Sequence, residues 1–164
     1  KAETQCGPLI RPAEVDRVAS WVDAAVQGGA RLAAGGKRTG STLYQPTVLV
    51  DPPDDADVSR KEVFGPVVCI YGYDDVDAAI GQANALPYAF QAAVFTDRMS
   101  WADYCVEALA ASAVMVNDHT AFRVDWMPFA GRRQSGLGTG GIGYTMADMS
   151  EEKMVVVNSP SSVR

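Results

Sequence analysis

At 164 residues, with 48% hydrophobic and 21% charged side chains, the chain has the composition of a globular protein and is long enough to bury a substantial core, with one compact unit as the expectation. A net charge of −6 argues against nucleic acid as a partner, and no apolar run approaches the roughly 20 residues a membrane helix needs. Three cysteines at wide, unpatterned spacing (Cys6, Cys69, Cys105) read neither as a disulfide framework nor as a metal site, and fit a reducing cytoplasm.

The chain opens on Lys1 rather than methionine, which suggests a piece of something longer. The first element is an amphipathic helix from Pro12 to Gly28, with Val15, Val18, Val22 and Val26 on its apolar side and Asp16, Arg17, Asp23 and Gln27 on the other. A Gly-rich basic stretch leads to the β-branched run "PTVLVD" (Pro46 to Asp51), a short strand stopped by Pro52-Pro53. "VVCIYGY" (Val67 to Tyr73) is a second strand, followed by a helix whose expected buried face is Val76, Ala79, Ile80 and Ala83. A strand from Ala92, a helix from about Met99 to Ala111 and the strand "AVMVN" (Ala113 to Asn117) repeat the alternation. Apolar strands joined by helices indicate an α/β fold with an open parallel sheet and flanking helices. Loop chemistry is expected from Asp118 to Gly143, then a final strand "KMVVVN" and the polar tail "SPSSVR".

Four stretches could carry chemistry. Cys6, beside Gly7-Pro8, would need a base, and the single histidine, His119, lies more than a hundred residues away; Cys69 and Cys105 read as small buried residues. Gly136, Gly138 and Gly141 spell G-x-G-x-x-G but follow a Pro-containing loop instead of a strand, so they read as a turn that brings backbone close to backbone. Arg132 and Arg133 could meet an anion or be a solvated pair. The loop from Asn117 to Phe129 starts where a parallel strand ends and mixes Phe122, Trp126 and Phe129 with His119, Thr120, Arg123 and Asp125, the composition of a pocket wall. In "KEVFGPVV" (Lys61 to Val68), Glu62 is either a solvated residue above a Phe64 plug or a carboxylate that accepts both hydroxyls of a ribose. In the second case the Phe64 ring packs on a flat heterocycle, and spacing of two puts both side chains on one face of an extended segment.

Together, "GPLI", "GGKRTGSTLYQPTVLVD", "SRKEVFGPVV", "YAFQAAVFTDR", "AVMVN" and "MPFAGRRQSGLG" before "EEKMVVV" resemble the aldehyde dehydrogenase superfamily in order and spacing over nearly the whole chain. The resemblance implies that Glu62 and Phe64 contact the ribose and ring of NAD or NADP. It implies a substrate pocket at Phe122 and Phe129, with Arg123 and Trp126 as neighbours. It also implies that no catalytic residue lies in this chain: the nucleophilic cysteine, the general base, the oxyanion-hole asparagine and the Rossmann domain belong upstream, in the remainder of a parent chain. Residues 1–152 then correspond to the C-terminal portion of the catalytic domain, and 153–164 to an oligomerisation strand and tail that makes a homo-oligomer. Ala130 and Ala89 stand where the family commonly has glycine, and the Arg-Glu that often follows the second glycine of "GLG" is missing. The "VNDHTAFRVDWMP" loop resembles the branch acting on small, often anionic aldehydes. The implied activity is oxidation of a small aldehyde to the acid by the complete cytoplasmic enzyme, with no turnover from this piece alone. The alternative is an inactive stand-alone binding or assembly module with the same fold.

Overall fold

The computed structural model describes residues 3–158, so the expected tail "SPSSVR" lies outside the described residues. The chain divides into two compact units, Lys1–Asp75 and Val76–Arg164, where the sequence suggested one.

The first unit is built on helix α1 (Pro12–Gln27). Pro12 at its first turn has the right φ and no N–H to waste, and the chain leaves the helix through Gly28, whose N–H reaches the Ala24 carbonyl at 2.9 Å. The buried stripe is Val15, Val18, Val22 and Ala25; Val26 sits at the rim of that arc in the last turn and is exposed. Against this stripe packs a three-stranded sheet of order β1-β2-β3, formed by β1 (Arg31–Ala34), β2 (Thr47–Val50) and β3 (Val67–Ile70), with the single-turn helix α2 (Asp57–Arg60) between the last two. Strand β2 is central, antiparallel to β1 and parallel to β3 in the register Thr47↔Val67 to Val50↔Ile70. Its alternation places Thr47 and Leu49 in the core, where the Thr47 hydroxyl donates to the Gln45 carbonyl at 2.8 Å and accepts from the Gly36 N–H at 2.8 Å. The sheet is thus mixed, because β1, absent from the sequence reading, pairs antiparallel at its edge. Val68 and Ile70 on the outer face of β3 are exposed.

The second unit opens with α3 (Val76–Asn84), on which Val76, Ala79 and Ile80 are half-buried but Ala83 is exposed. It continues with β4 (Tyr88–Ala89), β5 (Gln91–Val94), α4 (Met99–Ala108), β6 (Ala113–Val116), β7 (Arg132–Arg133) and α5 (Ile142–Asp148). The β5-α4-β6 passage is the expected parallel crossover, in register Gln91↔Ala113 to Val94↔Val116, while β4 and β7 make a short antiparallel pair. Asn84 ties α3 to the end of α4, its amide donating to the Ala108 carbonyl and accepting from the Ala110 N–H, each at 2.8 Å. The segment 153–158 forms no strand within the chain: Met154, Val155, Val156 and Val157 are exposed. A β-branched run needs a neighbour to supply its ladder, and no described strand lies beside this one. Among the described residues, no helix is long and apolar enough to cross a membrane.

Candidate functional site

Glu62 and Phe64 lie on the short link between α2 and β3, and the first unit holds that link from three sides. Val63, between them, packs toward the core, while Glu62 and Phe64 both face outward. The Arg17 guanidinium on α1 donates through Nη2 to the Val63 carbonyl at 2.6 Å. The Pro66 carbonyl accepts from the Thr47 N–H at 2.8 Å, which ties the turn to the central strand. A side chain at Gly65 would bring its Cβ to 2.8 Å from Val18 Cγ2, so the close approach of turn and helix requires glycine there. The expected uniform extended segment is corrected in one respect: Phe64 has φ of 47°, in the left-handed region, so the two side chains project outward from a kinked backbone. The Phe64 ring is 78% exposed, which excludes the plug beneath the turn.

Arg17 is placed by its own surroundings. Its Nε donates to Glu14 Oε2 at 2.8 Å, its guanidinium lies 4.5 Å from the Trp21 ring centroid, and the side chain is 28% exposed. The Glu14 carboxylate is held below the usual glutamate range by Arg17 and then Arg11. Helical periodicity assigns Arg17 to the solvent side of α1; a hydrogen bond 46 residues along the chain has no local sequence signal.

In the second unit the loop after β6 begins at Asn117, whose φ of 56° turns the chain and whose amide completes the strand pairing beyond the last ladder residue. Its Oδ1 accepts from the Thr96 N–H and its Nδ2 donates to the Thr96 carbonyl, each at 2.9 Å. The structure brings Arg123 and Phe129 together, with the guanidinium 4.2 Å from the ring centroid, and Phe129 meets Phe90 edge-on at 5.1 Å. Arg123 and Asp125 also line an open groove of about 580 Å³ whose far wall is α5 and the residue that caps it, chiefly Ile142, Met146 and Met149. Phe122 and Trp126 are exposed and do not line it. Helix α5 was not expected from the sequence; it is seated by Gly141, with φ of 117°, where any Cβ would come within 2.7 Å of the Met127 carbonyl oxygen. The Gly-rich stretch therefore does bring backbone close to backbone. Arg133 is exposed, and its Nη1 is committed to the carbonyls of Asn84 at 2.6 Å and Leu86 at 2.7 Å at the end of α3.

Cys105 is buried in α4, burial pushes the Cys69 thiol up, and Cys6 is exposed beside Gly7. Among the described residues, no group of His, Cys, Asp and Glu could hold a metal ion.

A model of the Aldehyde dehydrogenase family matches residues 1–155. The chain is similar to the 3-sulfolactaldehyde dehydrogenase of Priestia aryabhattai, 42% identical over 95% of this chain and 32% of that protein. It is similar in structure to aldehyde dehydrogenase 21 of Physcomitrella patens in complex with the reaction product succinate, with TM-score 0.90 and 34% identity over 99% of this chain and 34% of that one. A glyceraldehyde-3-phosphate dehydrogenase of Methanocaldococcus jannaschii complexed with NADP gives TM-score 0.86 and 34% identity over 92% of this chain and 32% of that one. Another matched aldehyde dehydrogenase structure, from Bacillus cereus, is an NAD⁺ complex. The chain thus spans about a third of the length of the proteins it matches.

Proposed function

The chain belongs to the aldehyde dehydrogenase family, and on that premise we propose that it supplies the ribose and ring contacts for NAD or NADP, and part of the aldehyde pocket, of a longer cytoplasmic enzyme that oxidises a small aldehyde to its acid. The observation that carries this reading is the left-handed, outward-facing Phe64 beside an outward-facing Glu62 on a link pinned at Val63, Gly65 and Pro66. Left-handed backbone at a phenylalanine costs on the order of 1–3 kcal/mol, and an exposed ring recovers none of it by burial within the chain. Such strain persists where the surrounding structure over-determines it, as it does here, and clusters at ligand clamps.

The residues fit the cofactor. The two oxygens of Glu62 would accept from the two hydroxyls of a ribose, and the exposed face of Phe64 would pack against a flat pyridine ring. A nicotinamide dinucleotide supplies a hydride acceptor when bound. In the longer enzyme a cysteine thiolate outside this chain would add to the aldehyde carbonyl, the adduct carbon would lose its hydride to that acceptor, and water activated by a carboxylate, also outside the chain, would then release the acid and free the thiolate. Alone, this chain turns nothing over, because it holds neither group. On the aldehyde side Phe122, Trp126 and Phe129 form apolar wall and Arg123 pairs with an anionic substituent. The sulfonated substrate named for the Priestia relative and the dicarboxylate bound by the Physcomitrella structure support that assignment. The exposed run Met154 to Val157 extends a partner subunit's sheet and makes the enzyme a homo-oligomer.

The test is Glu62→Gln in the full-length protein. Losing the charge on one acceptor of a charge-assisted pair, worth roughly 1.5–3 kcal/mol, slows single-turnover hydride transfer by about tenfold or more and weakens nucleotide binding. Kinetics identical to the parent protein refute the assignment.

A further inference from the structure

We infer that Arg17 is the positioning residue of the Glu62–Phe64 clamp, fixing the backbone between the two side chains from helix α1. The inference rests on the proposed role of Glu62 and Phe64 in holding the nucleotide.

The Val63 carbonyl belongs to the peptide plane that joins Val63 to Phe64. The orientation of that plane sets ψ of Val63 and φ of Phe64 together, so flipping it is the direct route by which Phe64 would leave its φ of 47°. Arg17 Nη2 holds this carbonyl oxygen at 2.6 Å with a charge-assisted bond and so opposes the flip. The anchor is itself rigid: Nε is committed to Glu14 Oε2 at 2.8 Å, and the guanidinium is stacked 4.5 Å from the Trp21 ring centroid. Helix α1 presents it from a stripe of wholly buried valines, Val15, Val18 and Val22, and Val18 also touches the turn at Gly65. Glu14 is shared between Arg17 and Arg11, which bonds its other oxygen at 2.8 Å, and the Arg17 bond that reaches the clamp is the one to the Val63 carbonyl. Lysine cannot replace the fork, since a single ammonium on a flexible stem does not reach Glu14 and Val63 with fixed angles at once.

The experiment uses the full-length protein with Arg17→Met, Arg17→Lys, Glu62→Gln and the double variant of Arg17→Met with Glu62→Gln. It measures single-turnover hydride transfer, KM for nucleotide and for aldehyde, and thermal midpoint. Arg17→Met, which keeps an unbranched side chain of similar reach and removes the charge and the donors, is expected to slow hydride transfer or raise the nucleotide KM about tenfold while the aldehyde KM stays within about twofold. In the Glu62→Gln background the same change is expected to cost less than about threefold, because the geometry it protects has already lost its main ligand contact. Arg17→Lys is expected to fall between the parent and Arg17→Met. If Arg17→Met does not fold, Arg17→Lys carries the test with an expected loss of about threefold. An Arg17 variant that lowers the thermal midpoint yet leaves hydride transfer and nucleotide KM at parent values overturns the inference, as does a loss that multiplies in full with Glu62→Gln. If Glu62→Gln impairs the nucleotide steps and Arg17→Met does not, only the role of Arg17 falls. If Glu62→Gln changes nothing, the clamp and its positioning residue fall together.

Discussion

A left-handed backbone and an exposed ring at Phe64 set two unfavourable features on one residue, and neighbouring residues hold them there: Val63 is tied to Arg17, and Gly65 fits under Val18. From the sequence, the identities of Glu62 and Phe64 were legible, but the direction of the Phe64 ring was open between a plug beneath the turn and an outward face, and the structure decides it. The kink at Phe64 and the part played by Arg17 were not legible, since both arise from contacts between segments far apart in the chain. Arg123 has two uses in the structure, over the Phe129 ring and at the edge of the groove under α5. If it also pairs with an anionic substrate, Arg123→Ala in the full-length protein raises KM for a carboxylated or sulfonated small aldehyde by about tenfold, the worth of one charge-assisted bond. A neutral aldehyde of equal size is affected by no more than about twofold. Steady-state kinetics with the two substrates side by side reads the difference directly.

The elements that declared themselves are those with a strong period and a buried face. Helix α1, the central strand β2 and the β5-α4-β6 crossover all lie where apolar spacing placed them, within two residues for the strands and three for the end of α4. Strand β1 escaped because all four of its residues are exposed, so no alternation marks it. Helix α5 escaped because it has no buried residue and starts in a glycine-rich stretch whose local preference is for turns. The run from Lys153 to Asn158 errs in the opposite direction: its composition favours a strand, but the ladder partner must come from elsewhere. The end of β6 is held by a single side chain. Asn117→Ala removes both bonds to Thr96 and places a poorly suited residue at φ of 56°. It is expected to destabilise the second unit by about 1–3 kcal/mol, measured as a shift in urea midpoint. Asn117→Gly keeps the backbone conformation accessible and loses only the bonds, so the two variants separate the contributions.

At the scale of the whole molecule, the fold class and the family were legible because whole motifs, in order, outweigh any single ambiguous residue. The division into two units was not, because no proline-, glycine- or serine-rich linker marks Asp75. The chain spans about a third of the proteins it resembles, and several of its apolar residues, among them Val68, Ile70 and Phe64, face outward. In the proposed enzyme the remaining polypeptide and the nucleotide cover such surfaces. The most direct test is a crystal structure of the full-length protein with a bound nicotinamide dinucleotide. The account predicts both Glu62 oxygens within about 2.5–3.0 Å of the ribose hydroxyls, the Phe64 ring against the pyridine ring and the Val63 carbonyl still on Arg17. A ribose held by other residues, with the Glu62 carboxylate turned to bulk water, contradicts it.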